Sequence, residues 1–182
     1  MIGLIDVDGH HFPNLCLMKL SQWHKDHGDT VEWYRPDTPM YDAVYMSKVF
    51  SAAYSPDIHT PTNAKKVIKG GTGYAIWLVG GKEVYHPAYD PPLKPEIESC
   101  YPDYSLYPEY TGWGKSLARQ TAYGFLTRGC PRACEFCHVA PKEGRVPIRW
   151  PISHNSGGAR GIYAYQTLIF WPARTHLISC GS

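Results

Sequence analysis

Ile2-Gly3-Leu4-Ile5-Asp6-Val7, running on into Asp8-Gly9-His10-His11, is the stretch that decides the fold class. A short apolar run without polar alternation is what a strand covered on both faces requires, and such strands belong to parallel sheets. It stops in carboxylates, which at a strand's C-terminal end can face a ligand crevice. Beyond Pro13-Asn14 the spacing of Leu17, Leu20 and His24, with Met18 beside them, predicts a helix that Gly28 brings to a stop. Thr30-Val31-Glu32-Trp33-Tyr34 and Tyr41-Asp42-Ala43-Val44-Tyr45-Met46 then read as two further strands. Lys65 to Lys69 reads as a fourth, ending in a flexible Gly70-Gly71-Thr72-Gly73 turn. That turn lacks the Gly-Lys-Ser/Thr close of a phosphate loop. Strand, helix, strand, strand and loop in this order predict an open α/β sheet.

The rest of the chain bounds what this sheet serves. Its 182 residues, 43% of them apolar, suit one or two globular domains and exclude disordered or collagen-like classes. With 18 Lys plus Arg against 16 Asp plus Glu, the net charge of +2 sits on no basic run, so no nucleic-acid partner is expected. Met1 leads directly into the first strand, and the longest uncharged apolar stretch, around residues 163–173, is too short for a membrane span. The expectation is a cytoplasmic protein with no membrane partner. Six cysteines in a reducing compartment point to metal or redox chemistry before disulfides.

Composition divides the chain into four stretches: 1–84, the α/β region; 85–122, a connector; 123–144, a cysteine segment; and 145–182, a tail. The connector holds Pro87, Pro91, Pro92, Pro95, Pro102 and Pro108, which forbids a long helix. Interleaved with Tyr89, Tyr101, Tyr104, Tyr107 and Tyr110, it is expected to run extended and to pin itself by aromatic packing, a ligand platform being the alternative.

In the third stretch Tyr123 to Arg128 reads as a strand, Gly129 permits a sharp turn, and Cys130-Pro131-Arg132-Ala133-Cys134-Glu135-Phe136-Cys137 follows. Three thiolates on one tight loop can occupy three corners of a cubane cluster, whereas full protein ligation takes four. The iron left without a sulfur ligand is an open site for a small molecule. Cys134 and Cys137 also have the spacing of a zinc knuckle, to which Cys130 or His138 could add, but the sequence has no second knuckle. Cys16 reads as a buried hydrophobe and Cys100 as incidental. His10 and His11 suit either ligand contact or a turn, and Arg128 and Arg132 either a carboxylate partner or solvent.

This loop resembles the signature of the radical S-adenosylmethionine (radical SAM) superfamily, Cys-x3-Cys-x-aromatic-Cys, matched by Cys130, Cys134, Phe136 and Cys137. The resemblance implies that the three cysteines hold a [4Fe-4S] cluster and that its open iron binds S-adenosylmethionine. It further implies that Phe136 flanks the adenine, and that an electron donor such as a flavodoxin or ferredoxin serves an unknown small-molecule or macromolecular substrate. Residues 1–84 resemble the Rossmann-like, cobalamin-binding-like domain that some members carry. Bound cobalamin is not expected, because Asp8 and His10 are followed by Pro13 where the ligating pattern Asp-x-His-x-x-Gly needs glycine. The implied fold is thus a Rossmann-like open parallel sheet followed by the start of a partial (β/α) barrel. Only 45 residues follow Cys137, against the roughly 250 that a complete eight-unit barrel takes. The tail has four Arg, no Lys and no acid, and reads as an out-of-frame translation, which would make the chain a fragment. The alternative function is a non-enzymatic zinc-binding or interaction module.

Overall fold

The structure, a computed structural model, describes residues 1–9, 12–115, 121–149 and 161–166. The chain forms two compact units, Met1–Asp103 and Tyr104–Ser182, so the division falls inside the connector.

The first unit is built on a four-stranded parallel sheet of β1 (Ile2–Asp6), β2 (Val31–Trp33), β3 (Ala43–Ser47) and β4 (Val67–Gly70), in the order β2-β1-β3-β4. This is an α/β architecture, as the apolar run at Ile2 predicts: all five residues of β1 are buried. The register sets Ile5 beside Met46 and Gly3 beside Val44, and Ile5, Met46 and Val44 join Tyr41 in one core cluster. A Cβ on Gly3 would lie 3.1 Å from the Tyr41 ring, so the missing side chain makes room for that ring. α1 (Leu15–Asp26) packs on β1 and β3 through a buried stripe of Leu17, Leu20, Ser21 and His24 at helical spacing. Asn14 caps it, accepting from the Leu17 amide at 3.3 Å, while its Nδ2 donates to Ser47 Oγ at 2.9 Å. His24 lies between Asp29 Oδ2 (2.6 Å) and the Tyr45 hydroxyl (2.9 Å), so the helix and the strand it covers share a buried polar pin.

The Gly70-Gly71-Thr72-Gly73 stretch is tightly packed, contrary to the expected flexible turn. Gly71 has φ +99°, and a Cβ there would sit 2.3 Å from the Lys48 carbonyl oxygen; one on Gly73 would sit 2.1 Å from that of Phe50. The glycines let the turn into α2 (Thr72–Ala75) lie directly on the backbone that leaves β3, and Gly73 N donates to Lys48 O. Lys48 itself is buried, with its ammonium on Asp57.

A hairpin unforeseen in the sequence reading follows: β5 (Ile76–Val79) pairs antiparallel with β6 (Lys82–Tyr85) across Gly80-Gly81. Both glycines have positive φ, the requirement of a two-residue turn that matches strand twist. The connector is broken into single helical turns and does not run extended. Pro87, Pro95 and Pro108 each begin one, because a first-turn proline loses no hydrogen bond and arrives with helical φ. The part in this unit is strapped to α1. Asp103 accepts from Ser21 Oγ and Lys25 Nζ, both at 2.6 Å, its amide donates to Met18 O, and Lys19 pairs with Glu98 in α3 (Pro95–Glu98).

The second unit opens with Tyr104 and Tyr107, both buried as the aromatic-packing expectation required, and the short α4 (Pro108–Thr111). Thr111 Oγ1 donates to both tyrosine carbonyls. The Tyr104 hydroxyl accepts from the Tyr123 amide and donates to its carbonyl, which anchors β7 (Thr121–Arg128). Burial pushes the Tyr104 phenol above its ordinary pKa. β7 pairs antiparallel with β8 (Ile148–Arg149) and parallel with β9 (Gly161–Gln166). Most of the tail lies outside the described residues, as do His10 and His11. Among the described residues no helix is long and apolar enough to cross a membrane.

Candidate metal centre

The cysteine loop begins where β7 ends, and its first turn is enforced by backbone contact. Gly129 adopts φ +94°, and a Cβ there would lie 2.5 Å from Val146 O and 3.2 Å from Gly144 O. Only glycine fits both the dihedral and the space. Its amide donates to Glu143 Oε2 at 3.0 Å, and the Cys130 amide donates to Gly144 O at 3.0 Å. The chain that returns after α5 (Val139–Glu143) thus clamps the entry to the loop, and Gly144, with φ +87°, is the residue that ends that helix and offers its carbonyl. Arg128, the last residue of β7, lays its guanidinium 4.4 Å from the centroid of the Phe125 ring.

Within the loop Ala133 has φ +46°, the one non-glycine residue of positive φ among the described residues. That left-handed step costs about 1 kcal/mol for an L residue. It turns the chain into a second tight bend, closed by the Cys137 amide on Cys134 O at 3.0 Å. The two cysteines at the ends of this bend line one hollow of about 280 Å³, whose other walls are Ala133, Glu135, Ala140, Pro141 and Arg145. Phe136, between them, is 79% exposed.

The predicted ligands are therefore arranged as two plus one. Cys134 and Cys137 share the hollow, whereas Cys130 is buried at 7% exposure and is not part of that lining. Among the described residues no three His, Cys, Asp or Glu side chains are grouped as metal ligands. All three cysteines carry free thiols, as do Cys16 and Cys100. Burial raises the Cys100 thiol above its ordinary pKa, with Asp26 adding to the shift and Lys19 opposing it. In chemistry the loop's donor set fits a soft metal or an iron–sulfur centre, and the small side chains of Ala133, Ala140 and Pro141 leave the thiol-lined hollow uncrowded.

The other sequence candidates fall elsewhere. Asp8, at the carboxyl end of β1, has its carboxylate on the amides of Val49 (2.5 Å) and Phe50 (3.4 Å), so it closes a turn between neighbouring strand ends. Arg132 is exposed. Spacing alone does not single out Glu135, Arg145 or the bracing carbonyls of Gly144 and Val146 as part of the site. The Lys142-Glu143-Gly144-Arg145 helix-stop pattern was the signal that a return segment closes on the loop. Comparison with known protein families, curated proteins and solved structures finds nothing that matches this chain.

Proposed function

We propose that this chain is a radical SAM protein whose Cys130, Cys134 and Cys137 hold a [4Fe-4S] cluster, with S-adenosylmethionine at the open iron. The observation that carries the reading is the Cys-x3-Cys-x2-Cys loop set directly after β7, with three free thiols, two of them on one hollow. When bound, such a cluster supplies the electron that cleaves the sulfonium to a 5′-deoxyadenosyl radical, which takes a hydrogen atom from the substrate. Phe136 is the residue for the adenine face, and its exposure leaves its ring available for stacking. Gly129 and Gly144 hold the loop entry against β7.

Two features of the fold support this reading. β7 and β9 pair in parallel, as neighbouring strands of a (β/α) barrel do, with β8, which lies between them in sequence, antiparallel on the other side of β7. The β2-β1-β3-β4 order of the first unit is that of doubly wound sheets, which favours a Rossmann-like domain there. The free thiols suit a reducing, cytoplasmic compartment, with the electron coming from a donor such as a flavodoxin or ferredoxin.

Anaerobic reconstitution of the full chain with ferrous iron and sulfide tests the proposal. The expected product is brown, binds iron and inorganic sulfide in equal amounts, and bleaches with dithionite. Replacement of Cys130, Cys134 or Cys137 by Ala abolishes the colour, whereas Cys100→Ala retains it. A colourless protein that keeps stoichiometric zinc overturns the reading and makes the chain a zinc-binding module.

A further inference from the structure

Cys134 and Cys137 stand at the two ends of one tight turn. The Cys137 amide donates to Cys134 O at 3.0 Å, and both residues line the same hollow. A four-residue turn closed in this way brings its end Cα atoms within about 7 Å, and a disulfide spans about 4.4–6.8 Å between Cα atoms. Both side chains are free thiols and partly exposed. The third thiol of the loop is withheld from them: Cys130 is buried at 7% exposure, its amide is fixed to Gly144 O, and it is not part of that lining. The left-handed step at Ala133, φ +46°, lies between it and the turn.

Two accessible thiols within bonding reach, beside a third held apart, are arranged for selective oxidation. We propose that Cys134 and Cys137 form a reversible disulfide with glutathione disulfide as the oxidant, and that this bond shuts the loop against metal. One cysteine thiolate attacks glutathione disulfide, forms a mixed disulfide and releases one glutathione; the other attacks the protein sulfur of that mixed disulfide and releases the second. The two cysteine sulfurs lose two electrons, glutathione disulfide gains them, and the two thiol protons end on the released glutathiones. Metal binding takes thiolates, so the bond withdraws two of the loop's three donors and leaves Cys130 alone. In a reducing compartment such a bond is transient and acts as a redox sensor. The inference goes beyond the radical SAM reading and does not rest on it, because a cluster and any other thiolate-bound metal are shut out alike.

The test equilibrates the metal-free full chain with glutathione disulfide, alkylates it in denaturant, and maps the unreduced tryptic peptides by mass spectrometry. Cleavage after Arg128, Arg132 and Lys142 puts Cys130 in peptide 129–132 and both other cysteines in peptide 133–142. Peptide 133–142 is expected without alkyl groups and lighter by two hydrogens, with 129–132 alkylated. This form should exceed any that links the two peptides by at least about tenfold, because a buried thiol reacts only on local opening. Cys130→Ser should retain the internal link. Comparable amounts of linkage through Cys130, or complete alkylation of 133–142 in wild type, overturns the pairing. Cadmium, added without sulfide so that nothing reduces the bond, probes the loop through its sulfur-to-metal ultraviolet absorption. The reduced chain is expected to bind it at least about tenfold more tightly than the oxidised chain, and reduction followed by desalting restores the binding. Equal binding by the two forms overturns the gating. Failure of the reduced chain to assemble a cluster from iron and sulfide is a separate result, which removes the radical SAM reading and leaves this switch standing.

Discussion

Gly129→Ala, compared with Gly124→Ala five residues earlier, is the substitution on which the account of the loop can most directly fail. At Gly124 an added Cβ meets no heavy atom within 4 Å, so alanine is accommodated in the strand. At Gly129 the same atom arrives 2.5 Å from Val146 O on a backbone with φ +94°. The left-handed conformation costs an L residue about 1–2 kcal/mol. To relieve the overlap, residues 144–146 must move, which breaks the Cys130 N to Gly144 O bond and the Gly129 N to Glu143 bond, each worth about 1 kcal/mol. The loop entry is then easier to open by about 3 kcal/mol, or roughly a hundredfold in the population of opened loop. Cys130 reports this directly, because its thiol is buried in the native loop. Pulse labelling of the metal-free protein with a maleimide, read by peptide mass spectrometry, should show Cys130 modified roughly a hundredfold faster in Gly129→Ala. Cys134 and Cys137 serve as more exposed internal references, and Gly124→Ala should match wild type. Labelling of Cys130 in Gly129→Ala within twofold of wild type would refute the claim that the return segment clamps the turn.

Two further outcomes concern the first unit. The Asp42 carboxylate is bonded by Lys65 and by the N-terminal ammonium, which hold its pKa down to about 2 from 3.8. Folded Asp42 binds its proton more weakly than the unfolded chain does, so its contribution to stability is present above pH 3.8 and fades as the pH falls towards 2. Thermal melts should show a smaller acid loss in Asp42→Asn than in wild type over that interval; equal slopes refute it. Asp103→Ala removes the shared acceptor of Ser21 and Lys25, both bonded at 2.6 Å, and is expected to cost about 2–3 kcal/mol. Urea unfolding followed by far-UV circular dichroism checks it, and a change below about 0.5 kcal/mol would show that α1 does not depend on the strap.

Much of the first unit is legible in residue order because its signals are local. The apolar run at Ile2, the stripe of Leu17, Leu20 and His24, and the β-branched and aromatic run at Val31 each report their own burial pattern. The β5–β6 hairpin was equally legible in Gly80-Gly81 between two apolar or alternating runs, but it lay where the first region was read as ending. Proline density along the connector suggests extension, but Pro87, Pro95 and Pro108 each sit at the first position of a turn, where proline favours a short helical start. The loop's donor set was readable from spacing alone. Its grouping was not, since nothing in Cys-x3-Cys-x2-Cys states that Cys134 and Cys137 border one hollow while Cys130 is buried apart from it.

Residue order alone therefore established an α/β sheet and a tight loop bearing three thiols, because burial periodicity and ligand spacing are properties of neighbours along the chain. Folding in three dimensions settled why Gly71, Gly73 and Gly129 must be glycine, and why Glu135 and Arg145 belong to the thiol-lined hollow. Those facts depend on the Lys48, Phe50 and Val146 carbonyls and on a return segment that passes within contact distance. Such approaches are set by how separate elements pack, and no local pattern encodes them.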